Sequence, residues 1–435
     1  MAASSLISRQ GRALALTVGA IFAFTACASS SSSGPSASAP GITASQITIG
    51  STQPLTGPAA PGYSEISKGS NAYFQWVNDH GGVNSRTIKY QYEDDGYNPT
   101  NTSTIVRKQV LQDKVFAEFD GLGTPTQLAV VDYLNTEKVP DLFVASGCNC
   151  WNQASKYPYT YGWQPDYTIE GQILGQYVTQ NYAGQPVGYF AQNDEFGQDG
   201  VVGLDKQIPS SAVGASGRQK YDTSNTNVGP QIAALQAGGA KVVVAYSIPA
   251  FTALAMLAAA KIGYHPQWVV SNVGADPTTL TGLVKNFSKG AAGASLLEGV
   301  VSDTYLAPLA NADDAWIKLF TQIHDKYIKD LPMDGNVEYG MAVAYSFVEL
   351  MKKSGQNPTR QSVLDTLNGG TLSQGAGLAP FGYSSSNHLG YLGVQIAVIK
   401  NGAAQVQGSV LTATDDSAPK TASGGEQNPP TNGLP

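Results

Sequence analysis

The stretch Val242–Gly263, VVVAYSIPAFTALAMLAAAKIG, decides the fold. Read as one element, it is apolar and long enough to cross a bilayer, which takes roughly 20 residues. Ser247-Ile248-Pro249 cuts it, because proline offers no amide to a helix and pushes the preceding residue toward extended backbone. The stretch therefore reads as a buried strand over Val242–Ser247, then an amphipathic helix ending at Gly263. A strand that turns straight into a helix is the repeating unit of a parallel α/β sheet.

The same alternation extends in both directions. On the N-terminal side, QITIGSTQPL is a strand, and SEISKGSNAYFQWVNDHGG is a helix with Ile66, Tyr73, Trp76 and Val77 on one face. TIKYQYEDD follows as a strand, then a helix with Asn98 as N-cap and Pro99 in its first turn. VFAEFDGL and VPDLFVAS are further strands, separated by a helix from about Thr126 to Glu137. After Asp166 the rhythm restarts, with PVGYFAQND and VGASGRQKY as strands between helices. Two such runs imply an α/β protein with two Rossmann-like lobes and right-handed crossovers.

The ends differ from the middle. Arg9 and Arg12 precede the uncharged run Ala13–Ala26, which is too short for a permanent membrane helix and has the form of a signal peptide over residues 1–26. Cys27 follows Thr25 and Ala26, as in a bacterial lipobox, although Phe24 stands where an aliphatic residue is usual. Lipidation of Cys27 would anchor the chain to the outer face of the cell membrane through a flexible tether over residues 27–45. The alternative is plain cleavage and secretion. Residues 400–435 read as a C-terminal extension and disordered tail. The net charge of −7 and the absence of a basic patch argue against nucleic acid.

Catalytic signatures are absent. The four histidines are scattered, and there is no metal-ligand spacing, Walker loop or nucleophile elbow. Asp94 and Asp95 form an acidic pair that a secreted hydrolase could use, although a strand end followed by a turn accounts for them equally. No catalytic residue, cofactor or metal is expected.

Four segments, in this order and spacing, resemble the branched-chain amino-acid-binding type of solute-binding protein for ABC transporters, the type I periplasmic binding proteins. They are ITIGSTQPLTGPAAPGY (Ile47–Tyr63), FQWVNDHGGVNSRTIKYQYEDDGYNP (Phe74–Pro99), GLGTPTQLAVVDYLNTEKVPDLFVAS (Gly121–Ser146) and NDEFGQDG (Asn193–Gly200). The resemblance implies two lobes joined by three hinge crossings, with residues 46–164 and 302–378 in one lobe and 165–301 and 379–399 in the other. It implies a monomer that closes on a small polar or carboxylated solute and delivers it to a permease, or a sensor of the same fold. The solute contacts it implies are Tyr63, Gly123, Thr124, Thr126, Ala145, Ser146 and Gly147 in one lobe. In the other they are Phe196, Tyr246 or Ser247, and Asn272. Helix capping is the plain alternative for Thr124, and core packing for Phe196.

Two further expectations concern chemistry. In an exported chain with Cys27 lipidated, Cys148 and Cys150 form an even pair and are expected to be disulfide-bonded, a C-x-C metal site being the competing reading. The turn after PQWVVSNV carries Ser271 and Asn272 where the family's amino-acid binders place an acid, so a ligand ammonium would lack its counter-charge unless Asp276 or Glu338 reached the cleft. That favours a neutral or carboxylated solute over leucine, isoleucine or valine.

Overall fold

The structure, a computed structural model, describes residues 36–414, 417–422 and 428–435. The expected signal peptide, Cys27 and the tether as far as residue 35 lie outside the described residues.

The first sheet contains five parallel strands: β1 (Gln46–Gln53), β2 (Thr87–Asp94), β3 (Glu118–Phe119), β4 (Asp141–Val144) and β5 (Thr160–Gly162), in the order β2-β1-β3-β4-β5. The second sheet begins with β6 (Val187–Gln192), β7 (Val213–Tyr221), β8 (Val242–Tyr246), β9 (Gln267–Val270) and β10 (Val301–Thr304). A hairpin of β11 (Phe381–Ser384) and β12 (Asn387–Tyr391) stands apart. The chain then returns to the second sheet as β13 (Gly393–Lys400), β14 (Ala403–Thr414) and β15 (Ser417–Thr421). The final order is β15-β14-β13-β10-β9-β8-β6-β7, parallel from β10 to β7 and antiparallel from β10 to β15.

The decisive stretch divides as its proline requires. β8 is buried throughout, and Pro249 opens the helix Pro249–Lys261. That helix is buried on most of its surface between its neighbours, so it is less amphipathic than expected. Among the described residues no helix is long and apolar enough to cross a membrane. Acidic or amide N-caps fix where many helices begin. Asn98, Asp166, Asp194, Asp276, Asp314 and Asp334 each accept amide hydrogen bonds from their own first turn.

After β10 the helices Ala315–Tyr327 and Gly335–Lys353 pack back on helix Ile66–Asp79 of the first lobe. Three crossings thus join the lobes, and one aromatic cluster ties them together. Trp163 of the first crossing lies 6.0 Å from Tyr305 of the second and 5.0 Å from Tyr391 of the third, by ring centroids. Tyr305 and Tyr391 are 5.2 Å apart, and Trp163 Nε1 donates to Ser346 Oγ at 3.0 Å.

Three expectations about segment boundaries need correction. The hairpin β11–β12 packs on the first lobe, where Tyr383 donates to Gly162 O at 2.7 Å and His388 stacks on Tyr161. The third crossing therefore falls near Leu392, not Leu378. The tether is anchored well before residue 45: Ser36 N donates to Asn357 Oδ1 at 2.8 Å, and Ile42 is buried. The tail is ordered where described. β14 and β15 extend the second sheet, while Tyr73 and Trp76 donate to the carbonyls of Gly433 and Asn432, at 2.8 and 3.3 Å. Composition signalled solubility there, but sheet pairing and a buried Leu434 supply the order.

Candidate functional site

A cavity of about 370 Å³ lies between the lobes, at the carboxyl ends of both sets of strands. Apolar and aromatic groups dominate its wall. Tyr63, Tyr97 and Tyr339 come from the first lobe, Tyr167 and Phe196 from the second, and Tyr305 from the crossing. Gly123 and Thr124, in the turn after β3, and Ala145, after β4, complete the first-lobe face. Gly123 has φ +107°, and a β-carbon there would lie 2.6 Å from both Thr126 Oγ1 and the Tyr97 ring, so the turn depends on glycine.

The lobes are closed on one another. Tyr63 OH donates to Val273 O at 2.5 Å, Gln192 Nε2 donates to Tyr97 OH at 3.3 Å, and Asn149 N donates to Asp199 Oδ2 at 2.9 Å. At the mouth two helix N-termini exchange caps. Asp276 accepts from its own Thr279 N at 2.7 Å and from Gly335 N of the opposite lobe at 3.1 Å. Thr279 Oγ1 donates to Asp334 Oδ2 at 3.2 Å and accepts from Asn336 Nδ2 at 3.1 Å. Burial, with repulsion from nearby Glu65, pushes Asp334 up to about 6; burial and Asp334 also push Asp276 up.

Of the residues expected in the site, six line the cavity: Tyr63, Gly123, Thr124, Ala145, Phe196 and Asn272. The other five stand behind it. Thr126 Oγ1 donates to Gly123 O at 3.0 Å, and Ser146 Oγ is 2.7 Å from Thr124 Oγ1 and accepts from Cys148 N. Gly147 lets Tyr167 N reach its carbonyl at 2.7 Å. Tyr246 packs behind Tyr167 and Phe196, and Ser247 Oγ pairs with Thr252 Oγ1 at 2.7 Å. Thr124 does not cap its helix; Gly123 holds that position and the hydroxyl turns to Ser146. Phe196 is both packed and at the wall.

An acid does reach the cavity beside the Ser271–Asn272 turn, from another element. Asp303 of β10 lines the cavity, and Asn272 grips it together with Glu170 of the helix Tyr167–Asn181. Asn272 Nδ2 donates to Glu170 Oε1 at 2.8 Å and to Asp303 Oδ2 at 2.9 Å, while its amide N reaches the same two carboxylates. Burial raises both carboxylates, and the neighbouring charge of Glu170 adds to the rise at Asp303, which is held well above its usual range. Asp276 and Glu338 also reach the wall. No lysine, arginine or histidine lines it among the described residues. The expectation of a carboxylated solute rested on the absence of an acid, and the structure removes that ground.

Asp94 and Asp95 are spent on the turn after β2. Asp94 accepts from Leu55 N, Thr56 N, Gly96 N and Thr56 Oγ1, and Asp95 from Tyr97 N and Thr102 Oγ1. Cys148 and Cys150 are joined as a disulfide with α-carbons 5.0 Å apart, on a loop facing Asp199.

The sequence matches the family described as periplasmic binding protein over residues 46–404. Among solved structures it is similar to a possible leucine/isoleucine/valine-binding protein from Rhodopirellula baltica SH 1, at 19% identity and TM-score 0.73, covering 84% of this chain and 96% of that one. It is also similar to a branched chain amino acid ABC transporter from Thermus thermophilus with bound valine, at 19% identity and TM-score 0.71, covering 87% and 97%. A fatty acid ABC transporter substrate-binding protein from Thermomonospora curvata gives 20% identity and TM-score 0.70, covering 88% and 97%. At such identities the structural likeness speaks to fold alone. No curated protein matches the sequence. On the family match, the chain belongs to the periplasmic binding protein family, extracytoplasmic solute-binding proteins rather than enzymes, and has its two-lobed type I α/β fold.

Proposed function

We propose that this protein captures a small solute in the interlobe cavity by hinge closure and delivers it to an ABC transporter permease. The observation that carries the reading is the cavity of about 370 Å³ enclosed by the turns of both lobes, at the lower end of the size range for small-molecule sites. Tyr63, Gly123, Thr124, Ala145, Phe196 and Asn272 form the contacts, with Ser146 orienting Thr124 from behind. Asp303, Tyr97, Tyr167, Tyr305 and Tyr339 complete them. Lipidation of Cys27 would hold the protein at the membrane, where the permease is. Binding without turnover supports this reading: a solute recovered chemically unchanged after saturating the protein, with compaction measured on the same sample. Consumption of the solute would refute it. Release of the protein from membranes on Cys27→Ser substitution tests the anchor, and unchanged membrane association would remove it.

A further inference from the structure

The cavity wall carries three carboxylates, Asp276, Asp303 and Glu338, and no cationic side chain among the described residues. Asp276 is committed to the amides of Thr279 and Gly335. Asp303 is held by Asn272, whose side chain itself faces the cavity. Glu338 is different. It is 4% exposed, and its Oε1 meets no hydrogen-bonding group. Ser302 Oγ, also at the wall, is buried without a partner. A buried carboxylate without a counter-charge costs several kcal/mol or gives up its charge. The rest of the wall consists of aromatic faces, which attract positive charge through their ring quadrupoles.

We propose that the solute is a small organic cation, its charge met by the carboxylates of the cavity wall, Asp303 and Glu338 among them, and its apolar body laid against the tyrosines. This rests on the reading of the cavity as the solute site. A cation supplies the charge that the wall lacks. An anion meets only neutral donors among three carboxylates, and a zwitterion carries one group of each kind into a wall built for one sign. The net charge of −7 favours approach of the same class of solute.

The test is calorimetric titration of the intact protein with isobutylamine, valine and isobutyrate, which share a branched body but differ in charge, and with choline. Isobutylamine or choline should bind at least tenfold more tightly than valine or isobutyrate. Preference between those two shows whether the nitrogen donates hydrogen bonds or is simply enclosed. Asp303→Asn and Glu338→Gln should each weaken the preferred cation at least tenfold with an unchanged circular dichroism spectrum; having two variants guards against one that fails to fold. Valine or isobutyrate binding as tightly as the cations would overturn the assignment, as would no binding by any of the four. Either result leaves interlobe capture standing. That reading falls if a broad solute screen yields no ligand that compacts the protein.

Discussion

Thr279→Val should loosen the closed state while leaving each lobe folded. In the structure Thr279 Oγ1 sits between the lobes, donating to Asp334 Oδ2 at 3.2 Å and accepting from Asn336 Nδ2 at 3.1 Å. Valine keeps the shape and removes both bonds. A hydrogen bond to a charged group is worth about 1.5–3 kcal/mol net, and a neutral one about 0.5–1.5 kcal/mol. The site is half-buried, so about 2 kcal/mol is a reasonable loss, equivalent to about thirtyfold in the closed-to-open ratio. In an open state these groups face water and lose nothing, so the cost falls on closure. The assay is an interlobe distance measurement by energy transfer at pH 7.5, where Asp334, pushed up to about 6, is ionised, together with the dissociation constant of whichever solute a screen returns. The variant should bind up to about thirtyfold more weakly, with a melting temperature close to the parent's, because Asp276 still caps the helix through Thr279 N. Unchanged affinity and an unchanged distance distribution would show that these contacts do not hold the lobes together.

Other perturbations probe different levels. Gly123→Ala forces a side chain onto backbone at φ +107° and into Tyr97, and should abolish solute binding with about 1–3 kcal/mol of lost stability, read by titration and thermal melting. Burial pushes Asp141 from its ordinary 3.8 up to about 7. The folded state therefore keeps a proton that the unfolded chain releases, so stability falls as pH rises from about 4 to about 7 and levels off above. Asp141→Asn should flatten that slope and raise stability at pH 8 by up to a few kcal/mol in chemical denaturation. Deleting residues 428–435 uncovers Tyr73 and Trp76 and loses the burial of Leu434, worth about 2 kcal/mol, and should lower the melting temperature by a few degrees.

The fold was legible because its local signals agreed. Pro249 divided the apolar stretch, and Asn98 began a helix where its side chain could cap it. The tail was not legible, because β14 buries only Ala413 fully, so its mix of small apolar and polar residues carries no clear strand alternation. The hairpin β11–β12 was misplaced for a similar reason. Its lobe is chosen by the contacts of Tyr383 and His388 with residues more than two hundred positions away. Six of the eleven residues named from the strand-to-helix turns line the cavity, because position on such a turn follows from topology. Thr126, Ser146 and Ser247 lie on those turns too, but their hydroxyls are consumed by neighbouring backbone and hydroxyl groups. Asp303 was missed because the ligand-facing acid was sought at the Ser271–Asn272 turn. One signal did exist, a lone acid in the otherwise uncharged run VVSDTYL of Val300–Leu306.

Small-angle scattering of the wild-type protein, without and with a saturating solute, tests the central claim most directly. Closure of two rigid lobes about the Trp163–Tyr305–Tyr391 cluster predicts a smaller radius of gyration when bound, with an unchanged circular dichroism spectrum. A radius that stays the same at proven saturation would contradict capture by hinge closure.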